Sequence, residues 1–381
     1  MYARLLPTPE QSVFLFGPRG TGKTTWIRDR FPDAAIYDLL DTGEALRLSK
    51  DPGALYRELA GLPAGAWAVV DEVQRVPELL NEVHRLIESR RLRFVLSGSS
   101  ARKLRRRGVN LLAGRAVTTT MFPLVSAEVD FDLDLERAFS QGTLPMALAG
   151  GSPRDYLRTY AQTYLAQEVQ AEALTRNVGA FARFLEIAAR QNAQATNAAS
   201  IARDAGIDRR TVQSHFTILV DTLIGSWLPA WKLKSATRQV QQRKFYFFDC
   251  GVVRALSGRL PYPPTPEELG PLVETFVVNE LRAYLSYSGR YYPLHYWRSY
   301  DGAEVDALCE TATGFVAIEV RASARWDKRF NRGFRRVREH LPHAATCYGV
   351  YLGRRTALWD DVQVLPVLDF LKRLWNGEVL R

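Results

Sequence analysis

The chain has 381 residues, more than one hydrophobic core usually organises, so its length implies two or three domains. Its 51 Lys plus Arg outnumber its 41 Asp plus Glu, and the net charge of +10 suits an anionic partner such as nucleic acid or a phospholipid surface. No run reaches the ~20 apolar residues of a membrane span, the first residues lack a secretory-leader layout, and Cys250, Cys309 and Cys347 are too scattered for a disulfide framework or a thiolate zinc site. The expectation is a soluble cytoplasmic protein with no membrane partner. His340 and His343 stand three residues apart without the further ligands that a metal cluster needs, so they read as surface histidines.

The first predicted element is a short apolar strand ending at Phe16, followed by "GPRGTGKTT" and then a helix. Gly17, Pro18, Arg19, Gly20, Thr21, Gly22, Lys23, Thr24 and Thr25 carry the G-x-x-x-x-G-K-[ST] spacing of a phosphate-binding loop. Glycine admits the dihedrals that let backbone N–H groups wrap a phosphate, and the positive end of the following helix faces the same anion. Lys23 is then placed for the β- and γ-phosphates of ATP, and Thr24 for Mg²⁺.

Further on, "AWAVVDEVQ" is an apolar strand ending in two carboxylates. In this Walker B order Asp71 belongs beside the Mg²⁺ and Glu72 orients the attacking water. A third strand, "LRFVLSGSS", ends in small hydroxyl residues. Ser97 or Ser99 is a candidate sensor of the γ-phosphate, against the alternative of an ordinary strand-to-loop turn. Three such strands imply a parallel sheet with its ligand at the carboxyl ends. The run Arg102, Lys103, Arg105, Arg106, Arg107 reads equally as a solvated helix face or a nucleic-acid contact, and Arg115 is a candidate catalytic arginine acting on a neighbouring subunit's nucleotide.

Taken in order, "FLFGPRGTGKTTW", "IYDLLDT", "AVVDEVQRVPELL", "FVLSGSSARKL", "LAGRA", "MFPLVSAEVDF" and "GTLPMAL" resemble a widespread family of prokaryotic AAA+ ATPases, and the likeness runs on to the end of the chain. The resemblance implies an AAA+-like P-loop core, homo-oligomers with nucleotide at subunit interfaces and a hexamer as the family-level expectation. It also implies a C-terminal part that combines a winged helix with a nuclease-like fold. The expected architecture is α/β throughout, with an ATPase domain over 1–150, linker helices and a winged helix-turn-helix over 151–255, and a nuclease-like domain over 256–381.

In the middle region Tyr156, Tyr160, Tyr164 and Leu165 recur at helical spacing. "NAASIARDAGIDRRTVQSHFTILVDTLIG" then reads as helix, glycine turn, helix. Ile201, Ala202 and Ala205 face inward, Gly206 makes the turn and Asp208 caps the second helix, which buries Val212, Phe216, Leu219, Val220 and Leu223. Arg209, Arg210, Gln213 and Ser214 remain on its outer N-terminal half, where a recognition helix meets DNA. "RKFYFFDCGV" reads as an alternating strand suited to a wing, and a protein contact is the alternative use of such a module.

The last region sets Glu274 on an amphipathic helix, Asp306 on the strand "AEVDALCE" and Glu319 on the strand "GFVAIEVRAS". The order Glu, Asp, Glu-x-Lys is similar to the PD-(D/E)XK nuclease superfamily, in which carboxylates hold divalent ions against a phosphodiester. Here Arg321 stands where the lysine belongs, and arginine neither yields a proton nor matches lysine's reach. Lys328 is a distant substitute. Trp326, Phe330 and Phe334 recur every four residues within "RWDKRFNRGFRRVREH", the spacing of an amphipathic helix with a basic outer face.

These readings converge on an ATPase that binds or remodels DNA and carries a degenerate nuclease-like domain. The alternatives are a nucleotide-controlled switch for a protein partner, and an ATP-regulated, metal-dependent DNA nuclease.

Overall fold

The computed structural model describes residues 2–100, 112, 114–164, 177–232 and 242–381. The basic run from Arg102 to Arg107, and Leu165, lie outside the described residues. The chain forms two compact units, one of residues 6–122 with 221–224, the other of residues 1–5, 123–220 and 225–381.

The first unit is built on five strands, β1 (Val13–Phe16), β2 (Ala35–Asp38), β3 (Trp67–Asp71), β4 (Arg93–Gly98) and β5 (Val117–Thr120), in the order β2-β3-β4-β1-β5. Every pairing is parallel. Parallel sheets need cover on both faces, and the strands accordingly read as continuous apolar runs, VFLF in β1 and WAVV in β3. Cover comes from α1 (Lys23–Arg30), α2 (Thr42–Lys50), α3 (Gly53–Leu59) and α4 (Leu79–Arg90).

In α4 the buried Leu79, Leu80, Val83 and Leu86 recur at three and four residues, and they join Phe14, Phe16, Val70 and Leu96 in one core. Asp41 starts α2 by accepting the Gly43 N–H at 2.7 Å, a cap generally worth about 1 kcal/mol. Register pairs Val70 with Leu96 and Phe16 with Gly98, so β1, β3 and β4 end together and deliver the phosphate loop, Asp71 and Ser97 to one edge.

The second unit begins with α5 (Leu135–Gln141), α6 (Pro145–Leu148) and α7 (Pro153–Thr159), which continues as a wider helical turn over Tyr160–Tyr164. Helices α8 (Val178–Arg190), α9 (Ala198–Ala205) and α10 (Arg209–Asp221) follow, then an antiparallel ribbon of β6 (Gly225–Leu228) and β7 (Lys244–Phe247). After α11 (Cys250–Leu256) comes α12 (Pro266–Tyr287), opened by Thr265 and Glu268 satisfying each other's backbone N–H groups. It lies against a mixed sheet of β8 (Leu294–Arg298), β9 (Glu304–Thr311), β10 (Gly314–Arg321), β11 (Ala345–Tyr351), β12 (Ala357–Trp359) and β13 (Val362–Pro366). The strand order is β12-β13-β11-β10-β9-β8, with β10, β11 and β13 parallel, and α13 (Arg332–Arg338) and α14 (Val367–Trp375) complete the unit.

Three local expectations differ from what is observed. All four residues of β7 are buried rather than alternating, because Lys244 and Tyr246 turn to carboxylates while Phe245 packs on Phe216 and Trp227. The helix at Trp326 starts only at Arg332, since Asp327 caps a short 3₁₀ turn and the Trp326 indole donates to Asn331 at 3.0 Å. In α10 the buried set is Val212, His215, Phe216, Ile218 and Leu219, while Val220 is half-buried and Leu223 lies past the helix end at a φ of +60°.

Candidate functional site

The loop from Gly17 to Gly22 closes on itself through polar groups. Gly20 and Gly22 have φ of +77° and +93°, which suit glycine, and Gly22 caps α1. A Cβ on Gly17 would lie 2.6 Å from the Met121 carbonyl oxygen, so that position has no room for a side chain. The Thr21 hydroxyl donates to the Pro18 carbonyl at 2.9 Å. Buried Lys23 donates from Nζ to the carbonyls of Gly17 at 2.7 Å and Pro18 at 3.1 Å, inside the curve of the loop. Arg19 is half-buried, whereas Thr24 and Thr25 are exposed at the start of α1.

Asp71 ends β3 with 3% exposure and accepts the Thr24 hydroxyl at 2.8 Å and the Ser97 hydroxyl. The oxygens of Asp71 and Thr24 are the hard donors that Mg²⁺ prefers, and each Asp71 oxygen is paired to a neutral hydroxyl that a cation can displace. Glu72 follows at φ +58° and ψ +44°, a left-handed conformation that costs a residue with a side chain about 1–3 kcal/mol. That bend separates the two carboxylates: Asp71 turns to the loop, while Glu72 accepts from the Gln74 amide, which also donates to Ser99 at 3.3 Å. The Gln74 carbonyl oxygen is buried without a hydrogen-bond partner, an open acceptor beside Glu72. A Cβ at Gly98 would collide with the Gln74 side chain.

The first unit therefore gathers Lys23, Thr24, Asp71, Glu72, Ser97 and Ser99 at the carboxyl edge of its sheet. Arg115 is exposed just before β5, where it pairs with Glu88 of α4.

In the second unit, Ile201, Ala202 and Ala205 are buried, Gly206 ends α9 at a φ of +65°, and Asp208 accepts the Thr211 N–H at 2.9 Å. His215, packed between the rings of Phe181 and Phe184 at 4.8 and 4.9 Å, holds α10 on α8. Arg209, Arg210, Gln213 and Ser214 are all exposed on one end of α10.

Glu274, Asp306 and Glu319 do come together, on α12, β9 and β10, with Asp306 and Glu319 buried and Glu274 half-buried, and a cation stands against Glu274 and Asp306. That cation is Lys244 of β7, 3% exposed, whose Nζ lies 2.7 Å from Glu274 and 3.5 Å from Asp306 and also pairs with Glu304. Tyr246 adds its hydroxyl to Glu274, and Arg321 pairs with Glu319. Burial, then the Asp306 charge, pushes the Glu274 carboxyl up to about 7 despite Lys244 and Tyr246, and the same two causes hold Glu319 well above the usual range. Burial by itself would discharge Lys244, yet Glu274 and the other acids keep its ammonium charged. Lys328 is elsewhere, exposed and 3.3 Å from Asp360. Among the described residues, no group of three or more His, Cys, Asp or Glu side chains is disposed to hold a metal ion.

Gln74, Lys244, Tyr246 and Glu304 escaped the sequence reading. Gln74 follows the acidic pair at a two-residue offset, which only the 3₁₀ turn after Glu72 brings onto its carboxylate. Lys244 opens an apolar strand 30 residues before Glu274, and its one signal is a lysine at the head of "KFYF".

Residues 9–129 match the AAA domain family. Residues 132–262 and 269–370 match two domains of unknown function, DUF8612 and DUF4143. No curated protein matches the chain in sequence. Among solved structures, the Aeropyrum pernix ORC1 protein in complex with DNA is 12% identical, with 66% of this chain and 87% of that one covered at a TM-score of 0.28. The Bacillus subtilis DNA clamp loader delta protein is 12% identical over 54% of this chain and 82% of its own, at a TM-score of 0.25. The Drosophila ORC bound to AT-rich DNA and Cdc6 is 11% identical over 66% and 86%, at 0.21.

Proposed function

We propose that the chain is an ATPase whose nucleotide cycle drives the binding or remodelling of DNA. The observation that carries the ATPase reading is the bonding of Thr24 and Ser97 to the Asp71 carboxylate at the mouth of the glycine loop, with Glu72 turned aside by its left-handed backbone. Bound there with ATP, Mg²⁺ would neutralise charge on the β- and γ-phosphates. Lys23 would exchange its Gly17 and Pro18 carbonyl partners for phosphate oxygens, the loop N–H groups would hold the phosphates, and Thr24 and Asp71 are the residues that would hold the cation. Glu72, held by the Gln74 amide that Ser99 in turn steadies, would position the attacking water and take its proton.

DNA is the partner that the exposed Arg209, Arg210, Gln213 and Ser214 and the net charge of +10 favour. Lys23→Ala should lose nucleotide binding, whereas Glu72→Gln should bind nucleotide and turn it over slowly. Equal turnover in both variants and wild type would refute the assignment. Absence of salt-sensitive affinity for single-stranded, duplex and branched DNA, with and without nucleotide, would refute the partner.

The second reading, a nucleotide-controlled switch for a protein partner, draws on the Lys244 and Arg321 side chains that fill the carboxylate cluster. It expects hydrolysis that no form of DNA accelerates. Oligomerisation with Arg115 acting on a neighbouring subunit belongs to the first reading, and Arg115→Ala should then slow turnover without weakening nucleotide binding.

A further inference from the structure

The carboxylates of the second unit invite a divalent ion, yet a side-chain cation already stands among them. An ammonium has three N–H donors, and Lys244 finds three acceptors, one each from Glu274, Glu304 and Asp306. The other Asp306 oxygen accepts the Val320 N–H at 2.8 Å, the Glu274 oxygen that meets Lys244 also takes the Tyr246 hydroxyl, and Glu304 faces Arg298 at 3.4 Å. Arg321 occupies one oxygen of Glu319, whose second oxygen is buried without a hydrogen-bond partner.

Charge leads to the same conclusion. Four carboxylates, Glu274, Glu304, Asp306 and Glu319, meet three cations, Lys244, Arg298 and Arg321. The cluster is thus one charge short of balance, whereas a divalent ion beside Lys244 would set two cations against each other among the same oxygens. Mg²⁺ and Mn²⁺ need several oxygens at close range, and Lys244 Nζ stands among those oxygens.

We infer that the Lys244 ammonium is the resident cation of this cluster, taking the place of a divalent metal and tying β7 to α12 and β9. The nuclease-like carboxylates are thereby kept as a metal-free clamp between the ribbon and the mixed sheet, and a metal site opens only when Lys244 is removed. The inference concerns the second unit alone and does not rest on the proposed ATPase activity.

The test is Mn²⁺ binding to the nucleotide-free full chain, followed by electron paramagnetic resonance, in wild type, Asp306→Asn, Lys244→Met and the Lys244→Met/Asp306→Asn pair. Wild type and Asp306→Asn should bind Mn²⁺ alike, and Lys244→Met should gain a site that the double variant loses. A wild-type site lost in Asp306→Asn would overturn the inference, as would a folded Lys244→Met without a new site. Should Lys244→Met fail to fold, the wild-type and Asp306→Asn comparison decides alone. Failure of the ATPase assignment would appear in nucleotide turnover and leave these titrations unchanged.

Discussion

The two acidic centres of this chain differ in what stands against their carboxylates. At the edge of the parallel sheet, Asp71 is held by the hydroxyls of Thr24 and Ser97, neutral groups that leave its charge without a counterion. In the mixed-sheet unit, Glu274, Glu304 and Asp306 are held by a buried ammonium and Glu319 by a guanidinium. A carboxylate answered by hydroxyls is ready for a metal, whereas one answered by side-chain cations already has its counterion. Acidic residues in the right order therefore do not define a metal centre until their partners are known.

The largest effect is expected at Glu72. Glu72→Gln keeps the hydrogen-bonding shape and removes the base, so ATP turnover should fall by about 10²–10⁴-fold with nucleotide affinity retained, as read by steady-state hydrolysis beside a binding titration. On the other side, Lys244→Met leaves buried carboxylates without their counterion and should cost about 3–5 kcal/mol in urea unfolding. Adding Glu274→Gln should restore part of that loss, because the two changes share one network.

A weaker effect is expected from pH. Burial pushes Glu280 up to about 7 and Asp249 up to about 6, against the hydrogen bonds each accepts. The folded state thus holds their protons more tightly than the unfolded chain does. The stability this gives is full below the ordinary carboxylate range and is lost as pH rises through about 6 to 7. Thermal melting should therefore show wild type losing stability between pH 5 and 8, on the order of 3 kcal/mol from Glu280, and Glu280→Gln should flatten that slope. The smallest change belongs to α10: Arg209→Ala/Arg210→Ala should lower the slope of log affinity for DNA against log salt by about one per lost phosphate contact.

Much of the first unit was legible because its signals are local and redundant. Glycines at fixed offsets and apolar runs closing on Asp71 and on Ser97 all point to one sheet, and the parallel register then brings their ends together. The helix, glycine turn and helix around Gly206 could be read for the same reason, from spacing and a cap. The carboxylate cluster was legible only by half. Glu274, Asp306 and Glu319 announce themselves on predicted elements, but Lys244 reaches them from another strand, and no periodicity reports a long-range ion pair. Burial of both faces of β7 was hidden likewise, since alternation foretells a half-exposed strand and says nothing of polar side chains that turn inward to acids.

The most direct measurement is steady-state ATP hydrolysis by the full chain, alone and with single-stranded, duplex and four-way-junction DNA at two salt concentrations, with Glu72→Gln alongside. Turnover should be stimulated by one DNA form, less so at high salt, and should collapse in Glu72→Gln. Turnover indifferent to every DNA form, or undiminished in Glu72→Gln, would contradict the proposed function.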